Sequence, residues 1–128
     1  MKFVSDTHCL VWHFLDSSKL SSASKKLFAD PTHSKQIVVP TIVLAELLHL
    51  SRKIALPYTI EETLRNIEKN ENFEIYPLLI SIIQKAVPLR ILELHDALIV
   101  ATALHLNIPL MTADEKIVAS GQVETLRP

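Results

Sequence analysis

Four carboxylates stand at places where burial is expected. Asp6 closes the apolar start Phe3-Val4-Ser5, and Glu46 interrupts the apolar run from Ile37 to Leu50. Asp96 opens the apolar helical run Ala97 to Leu106, and Asp114 follows Pro109-Leu110-Met111. A carboxylate is costly to bury unless something compensates its charge. Four at the ends of buried elements suggest a shared cation. A hard divalent ion such as Mg²⁺ suits an all-oxygen site, keeps several of its waters and can hold a phosphate. Such an ion activates water and steadies the charge that develops on a phosphodiester. Each acid also has a plainer explanation. Asp6, Asp96 and Asp114 are competent helix caps, and Glu46 is free to face solvent.

The elements that must position these acids can be read from hydrophobic period and breakers. Phe3-Val4-Ser5 reads as a strand, followed by a helix from Thr7 to Leu15 capped by Asp6 or Thr7. Ser21 or Ser22 opens a second helix through Phe28, ended by Pro31. Gln36 to Val39 is a β-branched run and reads as a buried strand. Pro40 stops it, and a helix runs from Thr41 to about Arg52. Ile42, Glu46 and Leu50 then share one helix face, which points Glu46 toward the interior. Thr59 opens a helix to about Asn70. Glu74 to Tyr76 reads as a strand, Leu79 to Val87 as a helix, and Leu92 to Leu94 as extended or loop. Asp96 to Leu106 reads as a helix, Leu110 to Thr112 as a strand, and Glu115 to Ser120 as a short helix closed by Gly121. Val123 to Leu126 is a candidate last strand.

Strands alternating with helices imply an α/β fold, three-layer α/β/α with a central parallel sheet. Ligands of such sheets bind outside the carboxyl ends of the strands. Asp6 and Asp114 follow strands, Glu46 lies in the second turn of the helix that leaves one, and Asp96 starts a helix. All four are therefore expected at one edge of the sheet.

The 128 residues are expected to form a single domain, residues 1–128. A mean hydropathy of +0.26 is high for so small a chain and leaves room for an apolar surface patch, hence a dimer or partner. A net charge of −1 argues against a broad surface for coating nucleic acid. Cys9 is the single cysteine, which excludes an intramolecular disulfide and a cysteine-based zinc cluster; in its apolar stretch it reads as core. Ser5 and Asp6 break any early secretory core, and no apolar run reaches the ~20 residues of a membrane helix. The expectation is a cytoplasmic protein with no membrane association.

At its acidic residues the chain resembles the PIN domain family, and within it the VapC-like toxin ribonucleases. The matching stretches are Val4-Ser5-Asp6-Thr7-His8, Pro40-Thr41-Ile42-Val43-Leu44-Ala45-Glu46-Leu47, His95-Asp96-Ala97-Leu98-Ile99-Val100-Ala101-Thr102-Ala103 and Leu110-Met111-Thr112-Ala113-Asp114-Glu115-Lys116. Each is short, but the four occur in order over essentially the whole chain. The resemblance implies a PIN-like fold and a metal-dependent endoribonuclease. Asp6, Glu46, Asp96 and Asp114 would form the site for Mg²⁺ or Mn²⁺, with Thr112 supporting it by hydrogen bonding and Thr7 a weaker candidate. The implied reaction is in-line attack of water on an RNA phosphodiester, leaving 5′-phosphate and 3′-hydroxyl ends. The resemblance also implies a cognate antitoxin and a homodimer. The run from Pro57 to Pro88 carries no catalytic motif and is expected to vary with substrate and antitoxin.

Other residues are weighed against this reading. Lys25-Lys26, Lys35 and Arg52-Lys53 are candidate phosphate contacts, or ordinary surface charge. No aromatic interleaving supports a stacking platform for bases, and Trp12 and Phe14 fit a core or dimer face better. His8, His13 and His95 lie near the acids in sequence but lack a compact zinc ligand set. Lys116, close to Asp114, is a further possible phosphate contact. A non-catalytic PIN-like RNA-binding or interaction module is the alternative function. The lone Gly121 excludes a glycine-rich dinucleotide loop. A phosphoacceptor signalling domain would need a second acid beside Asp6, which is absent.

Overall fold

Strand β1 (Phe3–Ser5) is three residues long and wholly buried, and it lies at the centre of the sheet. The computed structural model describes residues 1–32 and 34–128. Its other strands are β2 (Ile37–Pro40), β3 (Phe73–Tyr76), β4 (Leu110–Met111) and β5 (Thr125–Leu126), in the order β3-β2-β1-β4-β5. All pairings are parallel, with Val4 opposite both Val38 and Leu110. Parallel strands covered on both faces read as continuous apolar runs rather than alternating ones. Phe3-Val4 and Ile37-Val38-Val39 do so, and all five side chains are inaccessible to solvent.

Among the described residues seven helices connect and cover the sheet: α1 (Thr7–Phe14), α2 (Ser22–Ala29), α3 (Thr41–Ser51), α4 (Ile60–Lys69), α5 (Ile80–Ala86), α6 (Leu94–Leu106) and α7 (Glu115–Ser120). The chain steps outward from β1 to β2 to β3, then returns across the sheet to β4 and β5. With right-handed crossovers, this reversal sends the two groups of helices to opposite faces. The fold is thus the three-layer α/β/α arrangement expected from the sequence. Helix α6 is the innermost: every residue from Ala97 to Ala103 is buried, as befits a helix that is apolar on all sides. Its one buried hydroxyl, Thr102, donates to the Leu98 carbonyl at 2.8 Å. Under the opposite flank, His13, Phe28 and Phe73 form an aromatic cluster, with His13 stacked on Phe28 at 4.7 Å.

Differences from the sequence reading are local. Leu94, expected in an extended segment, is the first residue of α6, and Asp96 lies inside its first turn. Glu93 occupies the capping position, although its side chain makes no capping bond. The apolar run beginning at Ala97 hid this extra half-turn, because its residues face solvent: Leu94 and His95 are exposed. The final strand is the two residues Thr125–Leu126 instead of Val123 to Leu126. Gly121 closes α7 with φ 64°, the left-handed conformation that glycine adopts without strain. Asn107 does the same for α6 with φ 55°, a cap the sequence reading did not place. Among the described residues no helix is long and apolar enough to cross a membrane.

Candidate active site

The strand order reverses between β1 and β4. Helix α1 leaves β1 toward one side, and α7 leaves β4 toward the other. Such a switch point is where open parallel sheets bind ligands, beyond the strands' carboxyl ends. Asp6 follows β1 directly and Thr112 follows β4 directly. The Asp6 amide donates to the Met111 carbonyl at 3.2 Å, which ties the two strand ends together.

Asp6 is the N-cap of α1. Its Oδ1 accepts from the Cys9 amide at 2.8 Å, and the residue is only 6% exposed. Thr7, the first helical residue, is buried and donates from Oγ1 to Glu46 Oε1 at 2.9 Å. This bond fastens α3 to the end of β1 and holds Glu46 beside Asp6. The sequence reading sent Glu46 to the interior on the stripe of Ile42 and Leu50. The buried stripe of α3 is instead Val43 and Leu47, and Glu46 lies half-buried on its margin. A position three residues after Val43 is rotated off the centre of that face, far enough to keep its carboxylate at the sheet edge.

Asp114 is the N-cap of α7, with Oδ1 accepting from the Lys116 amide at 2.9 Å and the Ile117 amide at 3.3 Å. Thr112 is buried and accepts on Oγ1 from the Asp114 amide at 3.1 Å, so its hydroxyl fixes the turn that carries this carboxylate. Asp96 reaches the same edge from the first turn of α6, and no cap bond occupies it.

Asp96 feels the charges of the other three acids. Burial raises the Asp96 carboxyl above its ordinary value, and the charges of Asp114, Glu46, Glu93 and Asp6 raise it further. Glu93 was not among the candidates from sequence. Its signal is its spacing, three residues before Asp96 on the same helical face. The described ion pairs, Lys2–Glu74 and Lys25–Asp16, lie outside this group. The acids thus form an all-oxygen donor set whose repulsion no lysine or arginine relieves among the described residues. That chemistry fits a hard divalent cation. Among the described residues no three acid, histidine or cysteine side chains stand grouped closely enough to hold a metal ion as they are placed.

The basic candidates are not gathered here. Lys35 precedes β2 at the opposite edge of the sheet, where its ammonium donates to the Phe73 carbonyl at 3.2 Å. Lys25 pairs with Asp16 at 3.0 Å, and Arg52 caps the far end of α3. Lys116 is exposed in the first turn of α7, next to Asp114. His8 and His95 are exposed near the site edge, whereas His13 belongs to the aromatic cluster. Cys9 is core: it has no exposed surface, and burial together with the Asp6 charge pushes its thiol up, out of the range of a nucleophile.

Comparison with known proteins follows the same outline. A family model described as PIN domain matches residues 3–120. No curated protein sequence matches the chain. Among solved structures, the chain is similar to a toxin–antitoxin complex from Klebsiella pneumoniae, with 21% identity, a TM-score of 0.72 and coverage of 99% of this chain and 98% of that one. It is similar to VapBC2 from Rickettsia felis bound to a fragment of promoter DNA, with 19% identity, a TM-score of 0.75 and 98% coverage of both chains. It is also similar to Mycobacterium tuberculosis VapC20, described as a toxin cleaving the sarcin–ricin loop, with 18% identity, a TM-score of 0.70 and coverage of 99% and 100%. Identities this low establish a common fold. The family match spans nearly the whole chain, and with the switch-point geometry it leads to one statement: the chain belongs to the PIN domain family.

Proposed function

We propose that this protein is a divalent-metal-dependent endoribonuclease, and that it is the toxin of a type II toxin–antitoxin pair. The observation that supports the reading is that Asp96 feels the charges of Asp114, Glu46 and Asp6, the last of which follows β1 directly, with no ion pair to any of the four among the described residues. These four would hold Mg²⁺ or Mn²⁺. When bound, such an ion supplies an activated water and neutralises charge on the phosphate undergoing attack. The remaining work belongs to the chain. Thr7 holds Glu46 through its hydroxyl, and Thr112 holds the Asp114 turn. Asp6 is fixed by its own helix cap. Asp96 alone is free to adjust, and its raised carboxyl favours a cation over an empty, fully charged set.

The similar toxin–antitoxin structures support an antitoxin partner, and VapC20 supports RNA as substrate. A homodimer is supported by an apolar face on α5, the following segment and the start of α6. Ile80, Val87, Ile91 and Leu94 are 71%, 65%, 86% and 69% exposed there, beside a groove lined by Ile83, Leu89, Leu92 and Leu98. Contiguous apolar surface of this kind marks an interaction site.

The test is cleavage of a mixed RNA pool with Mn²⁺ or Mg²⁺, followed by end analysis. The expected products carry 5′-phosphate and 3′-hydroxyl ends, and activity is lost in EDTA and in the Asp6→Asn and Asp96→Asn variants. Cleavage that survives EDTA and both substitutions overturns the assignment. Metal-independent RNA binding without turnover would point instead to a non-catalytic module.

A further inference from the structure

Beside the acidic edge, between the end of β5, helix α7 and the start of α2, lies a cavity of about 730 Å³. Ser21, Thr112, Glu115, Val118, Thr125 and Arg127 contribute to its walls. It adjoins the proposed site through Thr112, whose hydroxyl accepts from the Asp114 amide. The parallel register, Met111 opposite Leu126, brings Arg127 level with Thr112 at the same sheet edge. Three hydrogen bonds fix the backbone that carries Arg127: the Ser21 amide to the Pro128 carbonyl at 3.0 Å, and the Ser24 hydroxyl to the carbonyls of Pro128 at 3.1 Å and Arg127 at 3.3 Å. The chain therefore holds this arginine in place while leaving its guanidinium without a partner among the described residues. Glu115 lines the same cavity and is likewise unpaired. A fork of donors and a carboxylate acceptor, open to one cavity and not spent on each other, await a ligand that offers both acceptors and donors.

We propose that this cavity takes the base of the nucleotide flanking the cleaved phosphodiester, and that Arg127 and Glu115 select guanine there. The inference rests on the RNA-hydrolysis reading. The size is adequate, since small-ligand pockets span roughly 300–1,000 Å³. Guanine presents O6 and N7 acceptors to an arginine fork and amino protons to a carboxylate, a combination no other base offers. The apolar walls, Val118 and Ala119 among them, suit the faces of an unstacked base.

The experiment is cleavage of a randomised single-stranded RNA pool, with sequencing of product ends, for the wild type, Arg127→Ala, Arg127→Lys and Glu115→Gln. Alongside it, binding of four short RNAs differing at one base is followed by fluorescence anisotropy in EDTA. The wild type should favour guanine at one flanking position by ~10-fold, the discrimination of a good bidentate contact. Both arginine substitutions should abolish that preference by lowering cleavage of guanine-flanked sites to the level of the other bases, because lysine keeps the charge but not the fork. Cleavage with no base bias, with a bias for another base, or with a guanine bias retained in Arg127→Lys overturns the inference and leaves the hydrolase reading standing. Guanine-selective binding that needs Arg127, in a protein that cuts no RNA, overturns the hydrolase reading and upholds the subsite. Neither cleavage nor selective binding overturns both.

Discussion

Replacing Asp96 by asparagine should make the protein more stable while removing its activity. The substitution keeps the size of a half-buried side chain and deletes one charge from a set of mutually repelling acids. Relief of such repulsion at a functional site commonly contributes about 0.5–2 kcal/mol. Asp96 keeps some contact with solvent, which screens its neighbours, so the lower half of that range, about 1 kcal/mol, is expected. Unfolding entropy of about 2.1 cal/mol/K per residue over 128 residues converts this to a rise in Tm of about 4 °C. The pH dependence fixes the cause. The folded protein holds the Asp96 proton more tightly than the unfolded chain does, since its carboxyl is raised above the ordinary 3.8. The penalty of ionising it is therefore present at neutral pH. It shrinks as pH falls through the folded value and vanishes below 3.8, where both states are protonated. Thermal melts in EDTA at pH 7.5 and at about pH 3 should show the asparagine variant ahead at the first and level at the second. Saturating Mg²⁺ should reverse the neutral ranking, because an ion at a hundred times its Kd stabilises the wild type by about 2.7 kcal/mol. A variant that melts with or below the wild type at pH 7.5 in EDTA refutes the claim that these acids press on one another.

Thr7→Val removes the donor to Glu46 and keeps the branched shape of a buried residue, so it should cost about 1–2 kcal/mol and lower kcat for RNA more than it raises KM; unchanged kcat would separate Thr7 from the site. His13 is held below its ordinary 6.5 by burial, against the opposing pull of Asp16, whose own partner is Lys25. The unfolded chain therefore takes up the proton first. Stability from this residue is complete above pH 6.5 and is lost as pH falls through the folded value. Urea melts between pH 7.5 and 5 should show that loss in the wild type and a flatter profile in His13→Leu; parallel profiles would contradict it. Val87→Glu with Ile91→Glu places two charges on the apolar α5–α6 face and should convert a dimer into a monomer in light scattering; a monomeric wild type would remove that interface.

The sequence was most informative where the backbone had few alternatives. Ile37-Val38-Val39 is a β-branched run closed by Pro40, and only a buried strand ending there accommodates it. Gly121, the single glycine, stands at a helix end whose left-handed conformation costs it nothing. That Asp6 and Asp114 share an edge of the sheet was legible from strand ends, because a parallel sheet sends all its carboxyl ends one way. What stayed hidden depends on tertiary contact. The hydroxyl of Thr7 looks like any first-turn threonine until α3 brings Glu46 within 2.9 Å. Lys35 looked available for phosphate, but only the strand register places it on the wrong edge. Arg127 and Glu115 are far apart in the parallel ladder's connections and become neighbours of one cavity only through the β4–β5 pairing.

The acids differ in what else the chain asks of them. Asp6 and Asp114 each cap the start of a helix, and Glu46 receives the bond that ties α3 to the residue beginning α1. Loss of either cap to alanine would weaken the scaffold by about 1 kcal/mol. Asp96 carries no such structural duty, and its charge is a burden on the folded state. A gene copy released from selection for nuclease activity would therefore meet opposition to change at Asp6 and Asp114 and encouragement at Asp96. Under the proposed function, inactive descendants of this chain should change first at that position, keeping a sounder fold than their parent, and the residue at position 96 becomes the quickest marker for telling an active copy from a retired one.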